Sequence, residues 1–153
     1  MFACNSKVAN RNQQETYKFE KLVFHATRCF GTCPAIDLQV DSNRNIFIRR
    51  QVFKNRSETD ESLSGDFSGK LDTKQYEDFL QILLSSHYDT LHFPDVFCCD
   101  GSVTTIIVYH NGQRKYLKSM FPPPEATTLI QYLKQLALET SLPRSATEIK
   151  LEE

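Results

Sequence analysis

The chain has 153 residues, 40% of them apolar, with 18 basic against 19 acidic side chains and a net charge of −1. That length suits one domain burying about 70% of its unfolded surface around a single core, and the balanced charge excludes a global field that would draw in nucleic acid or an anionic membrane. Five Gly and six Pro are too few for a collagen-like or low-complexity chain, and no apolar run approaches the roughly 18 residues of a membrane span.

Residues 1–16 offer almost nothing to bury and read as a flexible tether. Met1-Phe2-Ala3-Cys4 followed by a polar stretch resembles the end of a bacterial lipoprotein signal peptide, in which a small residue precedes the cysteine that is acylated. The resemblance implies lipid on Cys4, with the charged and apolar parts of the signal lying upstream of Met1. Each acyl chain adds about 0.8 kcal/mol per buried methylene, so two or more would hold the domain at a membrane face of the cell envelope. Contact with a membrane is expected only through such an anchor. Without it the expectation reverses to a cytoplasmic chain with reduced thiols.

From Tyr17 to Ala26, apolar residues alternate with polar ones in two registers joined at Glu20-Lys21, which predicts a first strand with a bulge. Ile36, Leu38 and Val40 alternate with Asp37, Gln39 and Asp41, the turn residues 41–45 follow, and Ile46-Phe47-Ile48 returns as the other arm of a hairpin. Lys54 to Ser64 reads as an exposed connection, and Asp66 to Leu71 as a short edge strand. Asp72 and Gln75 form a capping box ahead of Tyr76, Phe79, Leu80 and Leu83, predicting a helix over 73–86. His87 to Asp100 is irregular. Val103 to His110, apolar on both faces, is an interior strand, joined by an Asn111-Gly112 type I′ turn to Gln113 to Lys118. Pro122-Pro123-Pro124 opens a last helix with Ala126, Leu129, Ile130, Leu133, Leu136 and Ala137 on one stripe. Residues 141–153 read as a polar, solvated tail. The sum is an α+β domain over 17–140, with one mainly antiparallel sheet of about five to six strands built from hairpins and two helices packed on one face.

The most informative string is Thr27-Arg28-Cys29-Phe30-Gly31-Thr32-Cys33-Pro34, a tight loop between strands. Three chemistries fit it. Cys29 and Cys33 can close a local disulfide worth about 2 kcal/mol in chain entropy. They can serve as a thiol-disulfide oxidoreductase pair, although such sites place a helix N-terminus behind the first cysteine to lower its pKa, and here period two resumes after Pro34. They can bind Cu(I) as in copper-delivery proteins related to thioredoxin, with His25 or His110 completing the ligand set. Cys98-Cys99 forms a second cluster, and a bridge from Cys33 to Cys98 or Cys99 is an open alternative, as is a core filler beside a surface thiol.

The cysteine turn, the hairpin after it, the capped helix with Tyr76 and Phe79, Asp100 before a β-branched strand, and the closing proline-then-helix order together resemble a bacterial domain-of-unknown-function family. Many of its members are secreted or lipid-anchored. The resemblance covers about Phe19 to Glu139, and its specific motif is the cysteine turn. Its members usually have Gly in the turn that Asn43-Arg44-Asn45 occupies here, and Cys98-Cys99 is a departure. It implies fold and compartment, with no activity attached.

Phe30 at the tip of the turn, and Asp100, are candidate surface contacts, although an aromatic in such a place more often folds onto the core. Asp95, Asp100 and His92 read as solvated loop residues. No residue pattern calls for a cofactor or a resident metal. The functional expectation is a noncatalytic envelope domain binding an unknown protein or small molecule. The alternatives are a thiol oxidoreductase or Cu(I) carrier, and a protein-partner module such as an immunity protein.

Overall fold

In the computed structural model, which describes residues 16–153, the alternation after Pro34 becomes a strand, β2 (Ala35–Asp41), with Ile36, Leu38 and Val40 fully buried. Its neighbours are β1 (Phe19–Ala26) and β3 (Asn45–Gln51), and β4 (Gly65–Lys70) completes an antiparallel meander. Helix α1 (Thr73–Ser85) then crosses the sheet, so that β5 (Thr104–His110) pairs with β1 and the hairpin closes with β6 (Gln113–Ser119). The strand order is β4-β3-β2-β1-β5-β6, every neighbouring pair antiparallel. Helix α2 (Thr127–Glu139) lies beside α1 on the same face, giving the expected α+β architecture.

Local chemistry explains the boundaries. The register shifts between Phe19 and Lys21, the expected bulge, and lets both halves of β1 present Phe19, Leu22 and Phe24 to one core. Asp72 caps α1 by accepting the Gln75 N–H at 2.7 Å, while Gln75 Oε1 accepts the Asp72 N–H at 3.0 Å. Asn111 and Gly112 take φ of 48° and 70°, the left-handed pair a type I′ turn requires. Arg44 takes φ 67° in the β2–β3 turn, braced by Asp41 Oδ1 accepting the N–H groups of Asn43 and Asn45.

The main core lies between the sheet and the helices. Phe24, Leu38, Ile48 and Ile106 meet Phe79, Leu83, Leu129 and Leu133, all essentially inaccessible to solvent. Each such side chain stabilises the fold by about 1.5–3 kcal/mol through burial.

The other face corrects the expectation of a solvated tail. Leu151 is 9% exposed and packs with Val23, Phe47 and Ile107 in a second apolar cluster on the sheet's helix-free side. Residues 143–145 also follow the outer edge of β4. The Ser68 N–H donates to the Pro143 carbonyl at 3.2 Å, and the Ser145 N–H donates to the Asp66 carbonyl at 2.8 Å. A glycine makes this approach possible: Gly65 has φ 133°, and a Cβ there would stand 2.3 Å from Arg144 Nη1. Sparse apolar residues in a polar run carry no period, so this strap was invisible to pattern reading.

Candidate functional site

Three places carry the chemistry-bearing side chains. The first is the cysteine end of the sheet. Chain leaving β1 is fastened to the segment entering β5: the Thr27 N–H donates to the Val103 carbonyl at 3.0 Å, the Val103 N–H to Thr27 Oγ1 at 2.8 Å, and the Phe30 N–H to the Asp100 carbonyl at 2.9 Å. Cys29 and Cys33 are joined in a disulfide with Cα atoms 5.4 Å apart, and β2 begins at Ala35 with no helical turn behind Pro34. Cys29 Sγ accepts the N–H groups of Gly31 and Cys33, each at 3.3 Å.

The Cys33 to Cys98 or Cys99 pairing is therefore not made. Cys98 and Cys99 are free and exposed, with the Cys99 thiol donating to Cys98 Sγ at 2.6 Å and Cys99 in the left-handed region at φ 62°. That hydrogen bond, with the charge of Asp100 adding to it, holds the Cys99 thiol above its ordinary pKa, which weakens it as a nucleophile. Neither cysteine fills the core.

Phe30 does not fold onto the core: it is 63% exposed, with the Arg56 guanidinium 4.4 Å from its ring centre. Arg28 stacks on Phe53 at 4.1 Å and donates to the Arg56 carbonyl, so cations from both connections brace this end. Phe30, Asp100 and the four cysteines thus come together at one end of the sheet. Cys4 lies outside the described residues.

The proposed copper ligands do not converge with the disulfide. The His25 ring lies on the helix-free face, between Asp37 Oδ1 at 2.7 Å and the Glu152 carbonyl at 2.5 Å. His110 sits at the opposite end of the sheet, where Nδ1 meets the Tyr88 hydroxyl at 2.8 Å, and Tyr17 stands 3.0 Å from Tyr88 in the same chain of hydroxyls. Burial raises the Tyr88 pKa first, and the bond to Tyr17 adds to it, so this phenol stays protonated and clasps the start of the domain rather than exchanging protons.

The second place is that helix-free face around His25. Asp37, Arg49 and Glu148 to Leu151 line a cavity of about 520 Å³ there. Arg49 makes a two-pronged contact with Asp66 at 2.9 and 3.0 Å. Glu152 accepts from Tyr109 at 2.6 Å and from Arg114 Nε at 2.8 Å, and these hydrogen bonds hold its carboxyl below the usual range. These contacts fasten the C-terminal strap.

The third place was not anticipated. A groove of about 690 Å³ runs beside β6, walled by Leu91, Phe93 and Phe97 together with His92 and Asp95 on one side and by Lys115 to Lys118 on the other. Its far wall is the irregular segment after α1, held by Lys115 Nζ donating to the Asp89 carbonyl at 3.0 Å and Ser119 Oγ donating to the Pro94 carbonyl at 2.6 Å. Phe97 and Tyr116, both in its lining, are 49% and 40% exposed. Among the described residues, no three His, Cys, Asp or Glu side chains are grouped to hold a metal ion.

These features define a small α+β domain with a disulfide-clasped sheet and an open groove at one edge. The chain belongs to the family described as Domain of unknown function (DUF6438), which matches residues 20–137. No curated protein matches it.

Proposed function

We propose that this chain is a noncatalytic accessory domain of the bacterial cell envelope, lipid-anchored through Cys4 and acting by binding a partner. The observation that carries the reading is the closed Cys29–Cys33 disulfide with a strand directly behind it. Structural disulfides persist in oxidising compartments. With no helix N-terminus following, neither sulfur gains the helix-dipole activation found in thioredoxin-like oxidoreductases. The polar segment after Cys4 supports a tether between lipid and domain.

Mass analysis of the chain recovered from native membranes tests the anchor. A lipid-modified peptide beginning at Cys4 is the expected result, and an unmodified Met1 terminus in the soluble fraction overturns it. Thiol counting tests the disulfide: before reduction only Cys98 and Cys99, of the four cysteines in the folded body, should react.

A second reading, thiol-disulfide exchange at the same turn, draws on the two N–H groups directed at Cys29 Sγ and on the exposure of Cys33. Attack of an external thiolate on Cys33 Sγ would form a mixed disulfide and release Cys29 as a thiolate those donors stabilise. Ready reduction under mild thiol conditions would favour it, and resistance favours the noncatalytic domain.

A further inference from the structure

We propose that the outer edge of β6 is a docking strand for an extended peptide segment whose side chains alternate acidic and apolar. The two edges of the sheet differ. That of β4 is covered by residues 143–145 of the same chain. That of β6 has no backbone partner among the described residues.

The two-residue turn at Asn111-Gly112 fixes which groups are available. It makes His110 and Gln113 a hydrogen-bonded pair, so the backbone groups of residues 113, 115, 117 and 119 point to β5. Those of Arg114, Tyr116 and Lys118 therefore point outward, three N–H and three C=O groups aligned for an added strand.

Side-chain chemistry then selects the occupant. Arg114, Tyr116 and Lys118 share the helix-free face, where Arg114 is paired with Glu152 at 2.7 Å and Lys118 has no ion-pair partner among the described residues. Leu117 belongs to the helix-side core, and Leu91, Phe93 and Phe97 extend that apolar wall along the groove. Lys115, on the groove side, has its ammonium committed to the Asp89 carbonyl. Directly opposed residues in an antiparallel pair share a face. An added strand thus meets Tyr116 and the unpaired Lys118 with one set of alternate side chains, and with the other set Leu117 and the wall of Leu91, Phe93 and Phe97, which His92 and Asp95 interrupt. A second copy of this chain fits poorly, because antiparallel self-pairing centred on Tyr116 sets Arg114 of each copy opposite Lys118 of the other.

This proposal rests on reading the chain as a binding domain and names the class of partner. The probe is a fluorescent peptide of sequence Glu-Val-Glu-Val-Glu-Val-Glu, titrated with the folded chain at low salt, beside a block peptide of the same composition, Glu-Glu-Glu-Glu-Val-Val-Val. Saturable binding of the alternating peptide, at least about tenfold tighter than the block peptide, is expected. Tyr116→Pro removes an outward N–H without touching the β5 ladder. It and Lys118→Glu should each weaken binding by about tenfold or more, while circular dichroism at the temperature of the titration still reports the folded sheet. A Lys-Val alternating peptide should in turn prefer Lys118→Glu over the parent.

Absence of binding, equal binding of the block peptide, or indifference to both substitutions overturns the proposal and leaves the edge lysines as guards against strand pairing. Self-association abolished by Tyr116→Pro would assign the edge to a second copy and likewise overturn it. None of these outcomes bears on the Cys4 mass or the thiol count, so the anchor and disulfide readings stand or fall separately.

Discussion

Asp37 Oδ1 lies 2.7 Å from His25 Nδ1, in a ring whose other nitrogen meets the Glu152 carbonyl at 2.5 Å. Carboxylate and carbonyl only accept, so this arrangement favours the doubly protonated ring, which bridges β1, β2 and the C-terminal strap. Burial alone would lower its pKa. The bonds to Asp37 and the Glu152 carbonyl, with the charges of Asp37 and Glu153, outweigh burial and raise it above the ordinary 6.5.

A raised folded-state value means that the protonated form is bound more tightly in the native state, so the stabilisation is complete below the unfolded pKa and lost as pH rises through the folded one. The melting midpoint should therefore fall across the window above pH 6.5. Amide exchange at residues 150–153 should quicken over the same window, and His25→Gln should flatten both profiles. Identical profiles for parent and variant would show that the strap is held by other contacts.

Reduction of the Cys29–Cys33 bridge, or Cys33→Ser, should cost about 2 kcal/mol, the chain-entropy value for so short a loop. Urea unfolding with and without reductant measures it, and the Thr27 and Phe30 hydrogen bonds to 100–103 should keep the fold intact.

Leu151→Ala removes a side chain packed on Val23, Phe47 and Ile107. At the rim of a small cluster, about 2 kcal/mol of destabilisation is expected by chemical denaturation. Ending the chain after Ser145 should also uncover Val23, Phe47 and Ile107 and increase binding of a hydrophobic dye.

Asp72→Ala removes the acceptor of the Gln75 N–H while leaving the backbone N–H of residue 72 to donate to Gln75 Oε1, and should cost about 1 kcal/mol, with the loss read as faster amide exchange in the first turn of α1.

Arg44→Gly should stabilise the chain by about 1 kcal/mol, because glycine relieves the left-handed conformation that a side chain resists. The gain is offset in part by losing the Arg44 Nη1 contact to Thr73 Oγ1 at 3.0 Å. Comparison with Arg44→Ala, which loses the Thr73 contact but keeps a Cβ in the left-handed region, separates the two contributions.

Local order was readable wherever a period or a turn dictated it. The bulge at Glu20-Lys21, the capping box at Asp72, the Asn111-Gly112 turn and both helix stripes follow from spacings within a few residues. What escaped depends on partners far apart in the chain. Glu152 meets His25 across 127 positions, and Leu151 completes a cluster begun at Val23. The groove beside β6 is walled by a segment with no repeat of apolar residues, so only the folded backbone brings Phe93 and Phe97 to Leu117. The cysteine turn lay between these cases: its residues pointed to a local bridge, but choosing among the pairings with Cys98 and Cys99 required the geometry.

The start of the domain is buttoned to the β5–β6 turn, where the Asn111 N–H donates to the Lys18 carbonyl at 2.9 Å and the Lys18 N–H to Asn111 Oδ1 at 2.5 Å. The disulfide lies past the far end of β1, about 26 Å away along eight extended residues. The body therefore has two poles: the described chain enters it beside Asn111-Gly112 and Phe30 stands exposed at the other, so the proposed lipid on Cys4 would be tethered to the pole opposite the disulfide.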